Sequence, residues 1–536
     1  MQFKQPSVGV AGRVPVRAGV LVAWVVVFAA SMASAQEFRV VETTIVDVHA
    51  SLASGQLTCR ELVQRYLDRI QRYDQTEPAL NAIQHVNLRA LQEADALDAA
   101  FADAGLIGPL HCVPVLLKDQ VETADMPTTY GSAVFEGFRS GRDATIVTRM
   151  KEAGAIILAK TTMGEFASRY VGSAFGIIRN AYDRSRNPSG SSGGTGAAVA
   201  ANFGLVGIGE DTGGSIRGPA AVHSLVGLRP TVPLVSRFGM MPANPSSDTL
   251  GPMTRTVTDA AVLLGVLAGY DPNDPVTAYA SGRVPGSYSE GFEERGLQGV
   301  RLGVIRDPMD VKTDPDSEDY RQVRVVIDRA IGDLRRLGAV VVDPVEIPDF
   351  DRIQTTYVRN TFETEEATDA YLAGHPHAPV RTLRQILLTG AVNPWRARGL
   401  MNVVGRSTDD PEYLRILKSR EQLRRTVLGV LADRQLDALV YATFDHQPTL
   451  IADDVLTNAD TDDAYARGNN RYLSPVVGLP ALTVPAGFTD EGLPVGLEFL
   501  GGPFREARLL ELGYAYEQGT MRREPPEMTP ALPGSP

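Results

Sequence analysis

Apolar residues recur at helical spacing in many stretches of the chain, and short apolar runs separate those stretches. Leu62, Tyr66 and Ile70 lie four residues apart, which predicts a helix over residues 59–73 that Thr58 can cap. The same spacing predicts further helices over residues 88–104, 144–153, 197–204, 317–337, 358–372, 411–433 and 506–518.

The short apolar runs predict buried strands. Val113 to Lys118 is the first such run, and Ala155 to Ala159, followed by Lys160, is the second. Further strands are predicted over residues 206–209, 300–305, 339–342, 438–441, 482–484 and 495–499. Strands that alternate with helices predict an α/β fold. We expect a single large domain, with a mixed, mostly parallel sheet covered by helices on both faces.

The two ends of the chain differ from the rest. Basic residues precede an apolar stretch of 13 residues (18–30), and Ala33-Ser34-Ala35 fits a small-x-small cleavage pattern. This predicts a signal peptide over residues 1–35, cleaved near Ala35, and a mature protein exported to the periplasm or beyond. An uncleaved anchor is the alternative, although 13 residues are short for a bilayer span. We expect residues 36–523 to form the domain, without a stable membrane span, and the proline-rich tail 524–536 to be disordered.

The charge and the motif content of the chain argue against several classes of function, and its cysteines leave two states open. The 536 residues carry a net charge of −12 without a basic run, which argues against nucleic acid as a partner. Gly207-x-Gly209 lacks the third glycine of a dinucleotide motif, and an acidic pair follows it, so no cofactor is expected. The Cys and His residues show no metal-ligand spacing, so no metal is expected either. Cys59 and Cys112 can form a disulfide or remain two small buried side chains.

The segment Ser189 to Gly194 (SGSSGG) has three interpretations. It can be a flexible surface loop. It also fits G-x-S-x-G, the nucleophile elbow, with Ser192 as nucleophile and Asp445-His446 or His377 as partners. An elbow lies between a strand and a helix, however, and here a polar loop precedes the motif. The third interpretation is a loop that relays protons.

A second segment, Asp211 to Arg217 (DTGGSIR), follows a predicted strand. Adjacent glycines let successive backbone N–H groups converge, as an oxyanion hole requires, and Ser215 would stand beside them. A tight turn with Ser215 as a helix cap is the alternative. A serine nucleophile needs a base, and Lys118 ends a buried strand. Burial lowers the pKa of a lysine and allows its neutral amine to accept a proton, whereas a surface lysine would stay charged.

Three segments together resemble the amidase signature family. They are His111–Asp119 (HCVPVLLKD), Asn187–Gly194 (NPSGSSGG) and Gly209–Ala220 (GEDTGGSIRGPA), and Ser191 and Ser215 have the family's spacing of 24 residues. The second of these motifs lies between the other two along the chain, as in the family. Segments 227–231, 478–481 and 492–497 continue the resemblance, which covers roughly residues 40–520.

The resemblance implies a Ser–Ser–Lys triad. Ser215 would attack the amide carbonyl, and Ser191 would relay its proton to neutral Lys118 and later protonate the leaving amine. Members of the family hold the relay serine after a cis peptide bond, here Gly190–Ser191. The resemblance therefore implies an amidase that hydrolyses C–N bonds of small-molecule or peptide amides through an acyl-enzyme on Ser215.

The resemblance also implies the surroundings of the nucleophile. The N–H groups of Thr212, Gly213, Gly214 and Ser215 would stabilise the oxyanion. Asp211 and Arg217 would support the turn from behind.

Two departures from the family and several alternatives remain open at this stage. Cys112 stands where the family usually has glycine, and residues 441–446 (YATFDH) replace a proline-containing stretch that shapes the acyl pocket in relatives. The same triad would serve a carbamate or ester hydrolase, or the glutaminase component of a tRNA amidotransferase, against which the predicted export argues. A non-catalytic binding protein on this scaffold is a further alternative. The sequence does not decide the substrate or the oligomeric state.

Overall fold

The computed structural model describes residues 38–306, 313–348, 361–462 and 471–532. The predicted signal peptide, residues 1–35, therefore lies outside the described residues. From Phe38 onward the described chain forms one compact unit. Within it, no helix combines the length and the apolar composition needed to cross a membrane.

The strands follow the chain from the first third to the C-terminal region. They are β1 (Ile83–Val86), β2 (Pro114–Lys118), β3 (Ile156–Thr161), β4 (Val171–Gly172), β5 (Gly176–Ile177), β6 (Val206–Asp211), β7 (Val226–Arg229), β8 (Thr249–Thr254), β9 (Arg301–Val304), β10 (Val340–Val342), β11 (Ala438–Ala442), β12 (Ala481–Phe488) and β13 (Pro494–Leu500).

The helices lie between these strands and at both ends of the described chain. They are α1 (Ile45–Ala53), α2 (Cys59–Tyr73), α3 (Ala90–Ala104), α4 (Thr145–Glu152), α5 (Gly193–Ala200), α6 (Arg217–Ala221), α7 (Val257–Leu267), α8 (Glu318–Arg336), α9 (Thr364–Ala373), α10 (Leu383–Leu388), α11 (Pro394–Met401), α12 (Pro411–Asp433), α13 (Leu473–Val477) and α14 (Glu506–Thr520).

One large mixed sheet organises the fold, as predicted. Its 11 strands run in the order β1-β3-β2-β6-β8-β7-β12-β13-β11-β9-β10. Parallel pairs occupy two places, β3-β2-β6 and β11-β9-β10, and antiparallel pairs join everything between β6 and β11. The sheet is thus less parallel than the alternation of strands and helices predicts. The predicted strands β11, β12 and β13 pair antiparallel, and so do β7 and β8, which the sequence pattern did not predict.

β8 shows why the pattern missed it. Its sequence, TLGPMT, contains a glycine and a proline, which are uncommon inside strands. The structure requires the glycine, since a Cβ on Gly251 would overlap the carbonyl oxygen of Leu228. Close packing of backbones, rather than strand propensity, therefore determines which residues occupy this part of the sheet.

Helix α2 begins and packs as predicted. The Thr58 hydroxyl accepts a hydrogen bond from the Glu61 N–H, and the Glu61 carboxylate accepts one from the Thr58 N–H, which completes a capping box. Leu62 and Tyr66 are fully buried on the face toward the core. The predicted amphipathic helix is confirmed.

A disulfide joins the start of α2 to the segment before β2. Cys59 and Cys112 are bonded across 53 residues of sequence, with their Cα atoms 5.3 Å apart. His111 packs beside them, but both sulfurs are used in the bond. Cys112 has φ = 62°, the left-handed region that favours glycine. This backbone conformation explains why glycine suits the position in the family.

The C-terminal tail differs from the prediction of disorder over residues 524–536. As far as residue 532, the last that the structure describes, the tail lies against the body of the protein. Arg69 on α2 donates hydrogen bonds to the carbonyl oxygens of Thr529 (2.7 Å) and Pro530 (2.8 Å). Proline prevents regular structure in the tail but leaves its carbonyl groups free to accept hydrogen bonds.

Candidate active site

The end of β2 places Lys118 in the interior of the protein. Its side chain is fully buried. Its Nζ lies 2.8 Å from Ser191 Oγ, 2.9 Å from Glu210 Oε2 and 3.1 Å from the Glu210 carbonyl oxygen. Lys118 is therefore a buried amine in direct contact with a serine hydroxyl, rather than a surface lysine.

Two opposing effects act on the pKa of Lys118. Burial lowers it and is the larger effect, while the neighbouring Glu210 carboxylate raises it, so the pKa lies below that of an exposed lysine. A neutral amine has two N–H groups and one lone pair. In this geometry the N–H groups can donate to the two Glu210 oxygens, which leaves the lone pair facing Ser191. The arrangement suits a lysine that accepts a proton from Ser191.

Ser191 reaches Lys118 from the loop before α5. The Gly190–Ser191 peptide bond is cis, as the family resemblance implies. A Cβ on Gly190 would overlap the Arg169 carbonyl oxygen, so only glycine fits there. The Ser191 carbonyl oxygen accepts a hydrogen bond of 2.9 Å from the Gly164 N–H. The backbone on both sides thus fixes the direction of the serine hydroxyl.

The predicted nucleophile, Ser215, lies on a turn between β6 and α6. It lines an open cleft and is 8% exposed, unlike the fully buried Ser191. No hydrogen bond joins Ser215 to Ser191 within the part of the chain that the structure describes. The structure therefore brings Lys118 and Ser191 into contact and leaves the Ser215 hydroxyl open to the cleft.

Gly214 plays a different part in this turn from the one predicted. Its N–H donates a 2.6 Å hydrogen bond to Asp211 Oδ1, so it is not available to an oxyanion. Its φ of +106° suits only glycine. The sequence could not show that the Asp211 carboxylate lies close enough to this N–H to accept its hydrogen bond. Thr212, Gly213 and Ser215 remain as the candidate backbone donors.

Asp211 and Arg217 hold the turn from below, as the resemblance implies. Besides Gly214, Asp211 accepts a hydrogen bond from the Ile216 N–H at 3.1 Å. Asp211 also forms buried ion pairs with Arg217 (3.2 Å) and Arg229 (3.1 Å). Burial raises the pKa of Asp211, but the two guanidinium groups outweigh that effect and hold the pKa well below its usual range. Asp211 is therefore ionised and anchors the turn at any pH near neutrality.

The structure excludes the nucleophile elbow. Ser192 is fully buried, and its hydroxyl bonds to the Glu210 backbone, donating to the carbonyl at 3.2 Å. Of the proposed partners, His446 contacts the Gln447 carbonyl oxygen through Nδ1 (2.6 Å), and His377 is exposed on the surface. Ser192 thus serves to join the relay loop to β6.

The cleft above Ser215 has a volume of about 350 Å³, which falls in the range of small-molecule sites. Apolar and aromatic side chains share its wall with arginines. The described lining residues that matter most for shape and charge are Phe166, Arg169, Trp395, Arg396, Leu400 and Arg471. Residues 441–446 do not belong to the described lining, although Phe444 packs under the guanidinium of Arg471 at 4.5 Å.

The sequence analysis missed α11, the helix that contributes Trp395, Arg396 and Leu400 to this wall. Trp395 and Arg396 begin α11, after Asn393 caps the helix and Pro394 occupies its first turn. The Asn-Pro pair is a helix-start signal that could have located α11. Nothing in the sequence pattern could have shown that α11 faces Ser215.

A buried lysine in contact with a serine, beside a Gly-Gly-Ser turn that opens on a cleft, is an arrangement that suits a serine-type hydrolase. Comparison with known sequences agrees with this class. A sequence model of the family described as Amidase matches residues 61–510. The chain belongs to the amidase family, and it hydrolyses amide C–N bonds.

Individual relatives cover nearly the whole chain. A probable amidase of Arabidopsis thaliana is 33% identical over 91% of this chain and 92% of its own length. A glutamyl-tRNA(Gln) amidotransferase component of Halorhodospira halophila is 37% identical over 89% of this chain and 97% of its own length. The crystal structure of the native peptide amidase from Stenotrophomonas maltophilia matches with a TM-score of 0.79 and 37% identity, over 91% and 99%. The predicted fold is confirmed by this structural similarity.

Proposed function

We propose that this amidase uses Ser215 as nucleophile, Ser191 as proton relay and Lys118 as general base. The observation that carries the proposal is the 2.8 Å contact between Lys118 Nζ and Ser191 Oγ in a fully buried setting. Burial disfavours the charged form of the amine, so Lys118 can accept a proton from the serine that it contacts.

The reaction would proceed in two halves. Ser215 attacks the carbonyl carbon, its proton passes to Ser191, and the proton of Ser191 passes to Lys118. The N–H groups of Thr212, Gly213 and Ser215 stabilise the oxyanion. Ser191 then donates its proton to the leaving amine and regains one from Lys118, and water releases the acyl group from Ser215.

We infer that the substrates are peptide or small-molecule amides with an apolar acyl group. Two features support this inference: the cleft presents Phe166, Trp395 and Leu400 to the substrate, and the related Stenotrophomonas maltophilia enzyme is a peptide amidase. A panel of peptide amides, aryl acylamides, glutamine and matched esters tests it. Preference for glutamine would favour the glutaminase alternative instead.

The nucleophile is tested by labelling with a fluorophosphonate, which reacts with an activated serine. The native protein should be labelled at Ser215, and Ser215→Ala should lose both labelling and turnover while its circular dichroism spectrum stays unchanged. Ser192→Ala is the matched control, a neighbouring serine without access to the cleft, and it should still be labelled. Label mapped to any other residue would refute the assignment.

We also propose that the protein is exported after cleavage near Ala35. The basic, apolar and small-residue pattern of residues 1–35 supports this. The Cys59–Cys112 disulfide supports it too, because disulfides persist in oxidising compartments. Sequencing of the native protein recovered from the periplasm or medium should begin at Gln36. A sequence that begins at Met1 would contradict the proposal.

A further inference from the structure

A second carboxyl group stands behind the pair formed by Lys118 and Glu210. Glu210 is fully buried, and its two side-chain oxygens face different partners. Oε2 accepts from Lys118 Nζ at 2.9 Å, while Oε1 lies 2.6 Å from Thr212 Oγ1. The same Thr212 hydroxyl lies 2.7 Å from Oδ1 of Asp248, which is also fully buried. A continuous chain of contacts thus runs from Lys118 through Glu210 and Thr212 to Asp248.

The hydrogens in this series of contacts from Lys118 to Asp248 can be counted. A threonine hydroxyl has one hydrogen and can donate it to only one of the two carboxyl oxygens. Both O···O distances are those of O–H···O hydrogen bonds. The second contact therefore requires a hydrogen on the carboxyl group of Glu210 or Asp248. One proton shared by the two carboxyl groups would satisfy both contacts.

The electrostatic surroundings agree with this count. Burial raises the pKa of Asp248 to about 6, and the charge of Glu210 adds to the shift. Other titratable or charged groups face the cluster of Lys118, Glu210 and Asp248: Asp211 from β6 acts on Lys118, and Tyr130 from the segment after β2 and Arg229 from the end of β7 act on the two carboxyl groups. Arg229 is itself engaged by Asp211. Two full negative charges at Glu210 and Asp248 would be costly in this interior.

We propose that Glu210, Thr212 and Asp248 form a proton shuttle that matches the charge of Glu210 to the charge of Lys118. While Lys118 is neutral, the proton sits on Glu210 Oε1, which donates to Thr212, and Thr212 donates to the Asp248 carboxylate. When Lys118 receives a proton from Ser191, the Glu210 proton passes to Thr212 Oγ1 and the original Thr212 proton passes to Asp248 Oδ1.

The transfer conserves protons. One O–H bond breaks at Glu210, one forms at Asp248, and Thr212 exchanges its hydrogen. Glu210 becomes a carboxylate opposite the new ammonium group of Lys118, and the reverse transfer accompanies the return of the proton to the leaving amine. Glu210 and Asp248 act through Lys118 and are positioning residues. The shuttle rests on the proposed role of Lys118 as base.

The shuttle predicts opposite shifts in the pH profile of kcat/KM for two variants. The acid side of that profile reports the pKa of the base in the free enzyme. Thr212→Val keeps the backbone N–H but removes the bridge, so Glu210 stays ionised beside Lys118 and the midpoint should rise by about one unit. Glu210→Gln removes the carboxylate, so the midpoint should fall by about 1–3 units.

Thr212→Ser is the matched control, because it restores the hydroxyl and should restore the native midpoint. Asp248→Asn gives an independent test if Thr212→Val does not fold, since a neutral amide leaves Glu210 ionised and should also raise the midpoint. A merely structural role of Thr212 would lower the rate without moving the midpoint. An unmoved midpoint in Thr212→Val or Asp248→Asn would overturn the shuttle.

The experiment also separates this inference from the proposed function. Fluorophosphonate labelling of Ser215 in the native protein tests the triad without any change at Thr212. Labelling at Ser215 in the native protein together with an unmoved midpoint in Thr212→Val would refute the shuttle and leave the triad intact. Absence of labelling in the native protein would refute the triad itself.

Discussion

Two buried lysines on neighbouring strands give a matched test of the catalytic base. Lys118 ends β2, and Lys160 lies in β3 opposite Leu117. Both side chains are fully buried and both pair with a carboxylate: Lys118 with Glu210 at 2.9 Å, and Lys160 with Asp119 at 3.4 Å. Only Lys118 also contacts a serine of the relay loop. Lys160 instead donates to the Pro127 carbonyl oxygen and the Thr128 hydroxyl.

Substitution of either lysine by methionine leaves a buried carboxyl group without one of its hydrogen-bond partners. Each variant should therefore lose about 1–3 kcal/mol of unfolding free energy, the cost of an unsatisfied buried polar group. The effects on catalysis should differ. Lys118→Met should lose about 10²–10⁴-fold in kcat, the usual contribution of a general base. Lys160→Met should keep most of its turnover per folded molecule.

The assay combines urea unfolding, followed by circular dichroism, with turnover of a peptide amide below the unfolding transition. Turnover is divided by the folded fraction, so that lost stability is not mistaken for lost chemistry. If Lys160→Met were as inactive per folded molecule as Lys118→Met, loss of a buried lysine and its hydrogen bonds would explain both. If Lys118→Met kept nearly full turnover, the lysine would not be the base.

The geometry of the site and its supports makes three further predictions. Burial lowers the pKa of Lys118, so kcat/KM should rise with pH as the lysine loses its proton, with a midpoint below the value of 10.5 for an exposed lysine; a profile that falls across this range would contradict a neutral amine. Replacing both Cys59 and Cys112 by alanine should cost about 4 kcal/mol in urea unfolding, from the loop of 53 residues that the disulfide closes, and an unchanged midpoint would show that the bond does not form. Gly190→Ala should abolish turnover, because the new Cβ would meet the Arg169 carbonyl oxygen; active protein with normal stability would show that the loop is less constrained than its geometry indicates.

The sequence was sufficient to predict those helices whose start residues and apolar spacing agree with the way the helix packs. Helix α12 spans Pro411–Asp433, the predicted range, because an Asp-Pro start and apolar spacing agree along its length. Helix α5 begins at Gly193, whereas the sequence predicts a start near Ala197. The prediction was wrong because the glycines and the serine around the start of this helix are typical of a loop. There, tight packing against β6 outweighs the low helix propensity of glycine.

The candidate site was predictable where the chemistry depends on residue type and spacing. Lys118, Ser191 and Ser215 could be named from three short segments, and two of them are in contact in the structure. The capture of the Gly214 N–H by Asp211 could not be predicted, because it depends on the path of the turn in space. Nor could the contact between Thr212 and Asp248, which are 36 residues apart in sequence.

The backbone at Cys112 has a consequence for how this protein can be produced. A residue other than glycine at φ = 62° is unfavourable in the folded state, and the covalent link to Cys59 offsets that cost only when it is formed. In a reducing host cytoplasm the folded chain would keep the unfavourable conformation and lose the cross-link. An expression strain with an oxidising folding compartment is therefore the appropriate source of native enzyme. Where that is not available, Cys112→Gly together with Cys59→Ala is the replacement that suits the backbone.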